Sequence, residues 1–333
     1  MKPTIHTVCV VGAGAIGGWL AAGLARAGCQ VSLLARGETL AAVQANGLQL
    51  QTGPADALQT QRFDMPASAD AATLGRHDLV IIAVKAPALA AVAQQIGPLI
   101  GPDTVVLTAM NGVPWWFLHG FGGALQDRTL ESVDPGGAIG AAIASRHVVG
   151  GVVHASCSVT SPGVIRHGFG NKIIVGEPCG ARSARILALA ALLEKGSFEA
   201  PLSEQIQRDI WYKLWGNMTM NPISALTGAT SVEVMDDELV LAFCTRVMLE
   251  ARAIGAGFGV AIEQEPTDRY VVTRKLGAFK TSMLQDVEAG KPVELDALVA
   301  SVRELGQMVG VPTPETDTLL GLARLQARVR GLY

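Results

Sequence analysis

The stretch Thr7-Val8-Cys9-Val10-Val11-Gly12-Ala13-Gly14-Ala15-Ile16-Gly17 decides the fold. Thr7 to Val11 reads as a short buried strand, a Gly-rich turn follows at once, and Ile16 to Ala27 reads as a helix. Strand, turn and helix in that order are the context in which G-x-G-x-x-G signifies dinucleotide binding. In a chain with 38 Gly the bare motif carries little weight, so the context makes the reading. Gly12 permits the tight turn, Gly14 lets the backbone approach a pyrophosphate, and Gly17 lets the helix pack close to the strand. The helix N-terminus offers free N–H groups and a partial positive charge. Gly12, Ala13, Gly14, Ala15, Ile16 and Gly17 are therefore the candidate phosphate-binding residues.

The next strand, Val31 to Leu34, ends in Ala35-Arg36. NAD-binding units carry an acid about 20 residues beyond the glycines, bonded to the ribose 2′-OH. Here the strand ends on Arg36 instead, and a guanidinium fork suits a 2′-phosphate. The expected cofactor is NADP(H), although Glu38 lies close enough to serve a ribose.

The rest of the chain bounds the function class. At 333 residues it holds two domains, and 49% hydrophobic residues supply their cores. A net charge of −3 argues against a nucleic-acid partner. The five cysteines are scattered, none forms a C-x-x-C, and the histidines show no ligand spacing with them. That pattern fits a reducing compartment and no metal. Lys2 followed by the nearly uncharged stretch Thr7 to Ala25 superficially resembles a signal peptide or membrane span. Its five glycines suit a strand and helix better, so the protein is expected to be cytoplasmic, with no membrane partner.

Residues 1 to about 110 alternate strands with helices. Leu79 to Val84 and Thr104 to Ala109 are buried strands separated by a helix over Ala88 to Ile100. Val148 to Thr160 and Lys172 to Val175, joined through Ser161-Pro162-Gly163, extend this sheet, with an antiparallel option. Arg182 to Leu193 reads as a helix. From about residue 203 strand signals fade. Helices are expected over Glu204 to Met220, Asp237 to Gly255, Thr267 to Glu288 and Val293 to Val309, with a last one from near Pro314. The expected fold is α/β: a Rossmann-type parallel-sheet domain over 1–202, binding NADP(H), and an all-α substrate and catalytic domain over 203–333.

Chemistry-bearing residues gather at strand ends and on one helix. Lys85 and Asn111-Gly112 follow two of the strands, where α/β sheets bind ligands. As plain loop residues they would need no explanation, but their shared location favours a role beside the nicotinamide. Lys213, Asn217 and Asn221 recur every four residues and form one polar stripe. An ordinary solvated face more often carries Glu and Lys than Asn. Ser282 and Glu294 lie further on. Each has a bland reading, as a helix-surface serine and as an acid favouring a helix dipole.

Together these motifs resemble the ketopantoate reductases (2-dehydropantoate 2-reductases) over nearly the whole chain. The resemblance rests on the GAGAIG turn, Lys85, Asn-Gly at 111–112 and K-L-x-x-N-x-x-x-N-P at 213–222. It extends to S-M-L-Q-D at 282–286 and E-L-D at 294–296. It implies NADPH-dependent reduction of 2-dehydropantoate to (R)-pantoate, toward pantothenate and coenzyme A. Lys213 would be the catalytic lysine, acting with Glu294. Asn111, Asn217, Asn221 and Ser282 would hold a small 2-keto acid, with Lys85 and Asn111 beside the nicotinamide. The bulky run Val113-Pro114-Trp115-Trp116-Phe117 and the stretch 131–137 depart from simpler family members. They leave open a related 2-keto acid or 2-hydroxy acid substrate if either tryptophan reaches the pocket. A non-catalytic NADP(H)-binding regulator would be expected to lack Lys213 and Glu294. The helical domain is also a candidate for mediating a homodimer.

Overall fold

A computed structural model describes residues 4–333, so the Lys2 of the signal-like stretch lies outside the described residues. By their contacts the residues divide into two units. One comprises the chain up to Met110 together with Ala138–Ile206; the other comprises Asn111–Gly137 together with Gln207–Tyr333. The sequence suggested one boundary at 202/203. The segment Asn111–Gly137 instead clusters with the helical unit, where Phe117 packs on Trp211 and Phe258 and the Val113 N–H bonds to the Ala297 carbonyl.

The first unit opens with β1 (Thr7–Val11), α1 (Ala15–Arg26), β2 (Gln30–Leu34), α2 (Gly37–Asn46), β3 (Leu48–Thr52), β4 (Gln59–Phe63), β5 (Ala67–Ser68) and α3 (Ala71–Leu74). It continues with β6 (His77–Ile82), α4 (Ala86–Ala93), β7 (Ile100–Thr108), α5 (Ala138–Ala142), β8 (Val148–Ser161), β9 (Val164–Gly176) and α6 (Ala184–Lys195). The nine strands form one sheet in the order β4-β3-β9-β8-β7-β6-β1-β2-β5. Its centre is parallel: Val11 stands opposite Leu34 on one side and Ile82 on the other, and Ile82 opposite Thr108. Four strands therefore end on one edge, and the loops after them share it. Val8, Val10, Leu33, Leu79 and Ile81 are buried on the sheet, as continuous apolar runs in a parallel sheet require.

Several boundaries differ from the sequence reading. The helix expected over Ala88 to Ile100 stops at Ala93, and Gly97–Leu99 forms a separate short turn around Pro98. The β8–β9 pair is antiparallel, and its second arm begins at Val164, well before Lys172. β3, β4 and β5 were not legible. β4 is Gln59-Thr60-Gln61-Arg62-Phe63, an exposed edge strand without an apolar pattern.

The second unit contains α7 (Ile206–Thr227), α8 (Ser231–Asp236), α9 (Glu238–Gly257), α10 (Pro266–Arg274), α11 (Ser282–Glu288), α12 (Ser301–Val309) and α13 (Pro314–Val329). Pro222, expected to end its helix, lies inside α7, which continues for five more residues. Proline lacks an N–H, so the Met218 carbonyl cannot receive its usual bond from that position. The single helix expected over Thr267 to Glu288 is two. Gly277, at φ +75°, ends one, and the Thr281 hydroxyl accepts from the Leu284 N–H to start the next. Asp296–Ala300 is a π-helical turn leading into α12. Among the described residues, no helix is long and apolar enough to cross a membrane.

Candidate active site

In the first unit the glycine loop has the shape its sequence implies. Gly12 sits at φ +96°, a conformation that glycine adopts without steric cost. A Cβ on Gly17 would lie 1.9 Å from the Gly12 carbonyl oxygen, so α1 passes too close for any side chain. At Gly14 the same test meets no atom within 4 Å among the described residues. Gly12 and Gly17 are thus glycine for reasons internal to the fold. Gly14 faces open space, which is what a ligand-approach position requires. The cleft there is lined by Gly12, Ala13, Gly14, Ala35 and Arg36, with Thr39 from the first turn of α2. Ala15 and Ile16 begin α1, whose N-cap Gly14 makes no side-chain cap, leaving the helix N–H groups available. Arg36 is the exposed N-cap of α2 and Lys85 the N-cap of α4, both on the sheet edge where the parallel strands end. These residues fit a dinucleotide: open backbone donors for the pyrophosphate and a guanidinium beyond the second strand.

In the second unit two indoles fix α7. Trp211 and Trp215, one turn apart, are buried, and their Nε1–H groups donate to the Ala251 and Met248 carbonyls of α9 at 3.3 and 2.6 Å. Gly255 makes room, since a Cβ there would lie 2.4 Å from Trp211 Nε1. Lys213 is two residues from Trp211, about 200° around the helix, so the Lys213–Asn217–Asn221 stripe turns away from α9.

Lys213 Nζ donates to Asn111 Oδ1 at 2.8 Å. The Asn111-Gly112 turn is held by the π-helical turn. The Val113 N–H donates to the Ala297 carbonyl at 2.8 Å, and Gly112, at φ +80°, would put a Cβ 2.5 Å from that same oxygen. Glu294, buried, lies two residues before the π turn begins. Burial pushes the half-buried Lys213 ammonium down to about 8; the Glu294 carboxylate works against this and the Arg269 guanidinium adds to it. Three of the sequence-selected residues, Asn111, Lys213 and Glu294, are therefore one cluster. Asn221, buried further along α7, donates through Nδ2 to Ser282 Oγ at 3.5 Å, at the start of α11. Asn217 is half-buried between the two pairs.

Two features escaped the sequence reading. Asn111 was selected as a strand-end residue, yet its unit is the helical one and its partner is Lys213. Arg269, on α10, was not selected at all. Its one sequence-level trace is Gly216, a small residue amid the bulky run Trp211-Tyr212-Lys213-Leu214-Trp215, marking a close approach. Trp115, Trp116 and Phe117 are buried, and Phe117 packs within 6.2 Å of the Trp211 ring and 5.9 Å of Phe258.

An open glycine loop on a parallel sheet, followed by a helical unit with a depressed lysine, is the architecture of a pyridine-nucleotide-dependent oxidoreductase. Family models for "Ketopantoate reductase PanE/ApbA" and its C-terminal region match residues 8–179 and 205–327. The chain belongs to the ketopantoate reductase family. It is 46% identical to a 2-dehydropantoate 2-reductase of Mesorhizobium japonicum, over 98% of this chain and 99% of that one. A solved structure from Ralstonia solanacearum MolK2, whose proposed identity is a ketopantoate reductase, is 57% identical with a TM-score of 0.94. That match covers 99% of this chain and all of the other. A D-mandelate dehydrogenase solved with NADH shares the fold at 19% identity, with a TM-score of 0.84 over 98% of this chain and all of that one.

Proposed function

We propose that this protein reduces 2-dehydropantoate to (R)-pantoate with NADPH, a step toward pantothenate and coenzyme A. The observation that carries the reading is the joining of Lys213 to Asn111 beside the Glu294 carboxylate, in a chain with this family membership. Gly12 through Gly17 would hold the cofactor pyrophosphate, Arg36 its 2′-phosphate, and Lys85 and Asn111 the nicotinamide end. Bound NADPH supplies the hydride. Lys213 faces the substrate C2 oxygen, stabilises the negative charge that grows there and delivers its own proton to it. A lysine near 8 is a better acid at neutral pH than one at its ordinary 10.5, because its proton is more easily given up. Asn111 orients the ammonium. Glu294 keeps it protonated at rest and receives the substrate hydroxyl. Asn217, Asn221 and Ser282 hold the remaining polar groups. The burial of Trp115 and Trp116 supports ketopantoate over a reshaped pocket for another acid.

The test is NADPH oxidation with ketopantoate, against a panel of other 2-keto acids and with NADH as control. Selective turnover of ketopantoate with NADPH supports the whole reading. Selective turnover of another acid would refute the substrate while leaving the reaction class standing.

A further inference from the structure

Arg269 has no role in the chemistry above, yet it lies beside the lysine that does. Its guanidinium rests on α7 at Gly216: a Cβ there would sit 2.7 Å from Nε and 3.0 Å from Nη2. The Tyr212 ring lies under it at 5.5 Å. Tyr212 and Gly216 flank Lys213 in α7, and the Arg269 charge acts on the Lys213 ammonium. Arg269 Nε is buried and meets no acceptor among the described residues. Burial also lowers the guanidinium's proton affinity, and the group that offsets this is Tyr212, not a carboxylate.

A half-buried cation whose buried Nε meets no acceptor is costly, and stacking on one phenol ring recovers only part of that cost. A fold keeps such a group where an anion arrives later. A carboxylate, Glu294, acts on Lys213, whereas the group that offsets burial at Arg269 is the Tyr212 phenol. A 2-keto acid presents a carboxylate bonded directly to the carbon bearing the keto oxygen, two acceptors at neighbouring positions. The Lys213 ammonium of α7 and a guanidinium that reaches from α10 to rest on α7 at Gly216 suit two such acceptors.

We propose that Arg269 is the substrate's carboxylate anchor: its fork takes the C1 carboxylate while Lys213 faces the adjacent C2 oxygen. The proposal rests on the 2-keto acid reading of this site. It adds a specificity role, rejection of neutral carbonyl compounds, and it explains Gly216 as the position that lets the fork lie flat on α7.

The experiment is calorimetric binding of pantoate and of its neutral lactone to the wild-type protein, R269K and R269M, with NADPH binding measured in parallel. Wild type is expected to prefer the acid. R269M should lose about 10- to 100-fold in pantoate affinity, the scale of a charge-assisted pair. Lactone and NADPH affinities should stay unchanged, and R269K should recover part of the loss. Equal weakening of acid and lactone would make Arg269 structural. Weakened NADPH with unchanged pantoate would make it a phosphate ligand. Either result overturns the proposal, as does unchanged pantoate binding. Should R269M fail to fold, the wild-type comparison still decides, since equal affinity for acid and lactone leaves no charge reader. Wild-type protein that binds no 2-hydroxy acid would sink the functional reading and the anchor together. Acid binding that survives in R269M sinks the anchor alone.

Discussion

At the scale of single residues, Lys213 concentrates the testable chemistry. Its ammonium is held near 8 by burial, so the protonated form is lost as pH rises through about 8. The reductive rate is expected to hold below that pH and fall above it, far short of the ordinary lysine range. A pH–rate profile checks this; a flat profile up to pH 10 would remove Lys213 as the acid. Lys213→Ala should lower kcat by orders of magnitude while NADPH binding persists, because in the proposed function the group acts on the transition state. Single-turnover kinetics with a parallel NADPH titration separate the two effects. In the proposed function Arg36 touches the cofactor alone. Arg36→Ala should weaken NADPH far more than NADH, roughly by the 10-fold or more of a lost charge-assisted contact. Equal loss for both nucleotides would mean that Arg36 does not read the 2′-phosphate.

At the scale of elements, the glycine loop separates two reasons for being glycine. Gly17→Ala places a methyl 1.9 Å from the Gly12 oxygen and should cost at least about 1–3 kcal/mol, seen as a lowered Tm. Gly14→Ala meets no protein atom within 4 Å, so its Tm should match wild type while nucleotide affinity falls. Thermal unfolding and NADPH titration of the two variants test the pair; a Gly14→Ala variant that binds normally would place the phosphates elsewhere. Helix α7 works by the same logic of faces. Two indoles bonded to α9 carbonyls fix its rotation, and the polar stripe follows from helical geometry. The stripe was legible from spacing; the indole bonds were not. The break between α10 and α11 was not, because it depends on one glycine at positive φ and a threonine cap within a helix-like pattern.

At the scale of the whole molecule, the helical unit is assembled from two stretches of chain, Asn111–Gly137 and Gln207–Tyr333. A fragment spanning 203–333 lacks Asn111, the bond from Val113 to Ala297, and the Phe117 ring against Trp211 and Phe258. It is expected to show weakened near-ultraviolet ellipticity and no cooperative melt, and a sharp transition would refute this dependence. The sequence by itself determined the αβ start, the parallel sheet, the helical second half and most of the candidate site. Each of these is written in local patterns: an apolar run before a glycine turn, a four-residue polar period, a proline or glycine at an end. Only the tertiary structure decided that Asn111 meets Lys213, that Trp115 and Trp116 are buried, and that Arg269 lies beside the lysine without an acid for its Nε. The two pairings join residues 102 and 56 positions apart. No short-range pattern encodes them, because packing and electrostatics act through space and not along the chain.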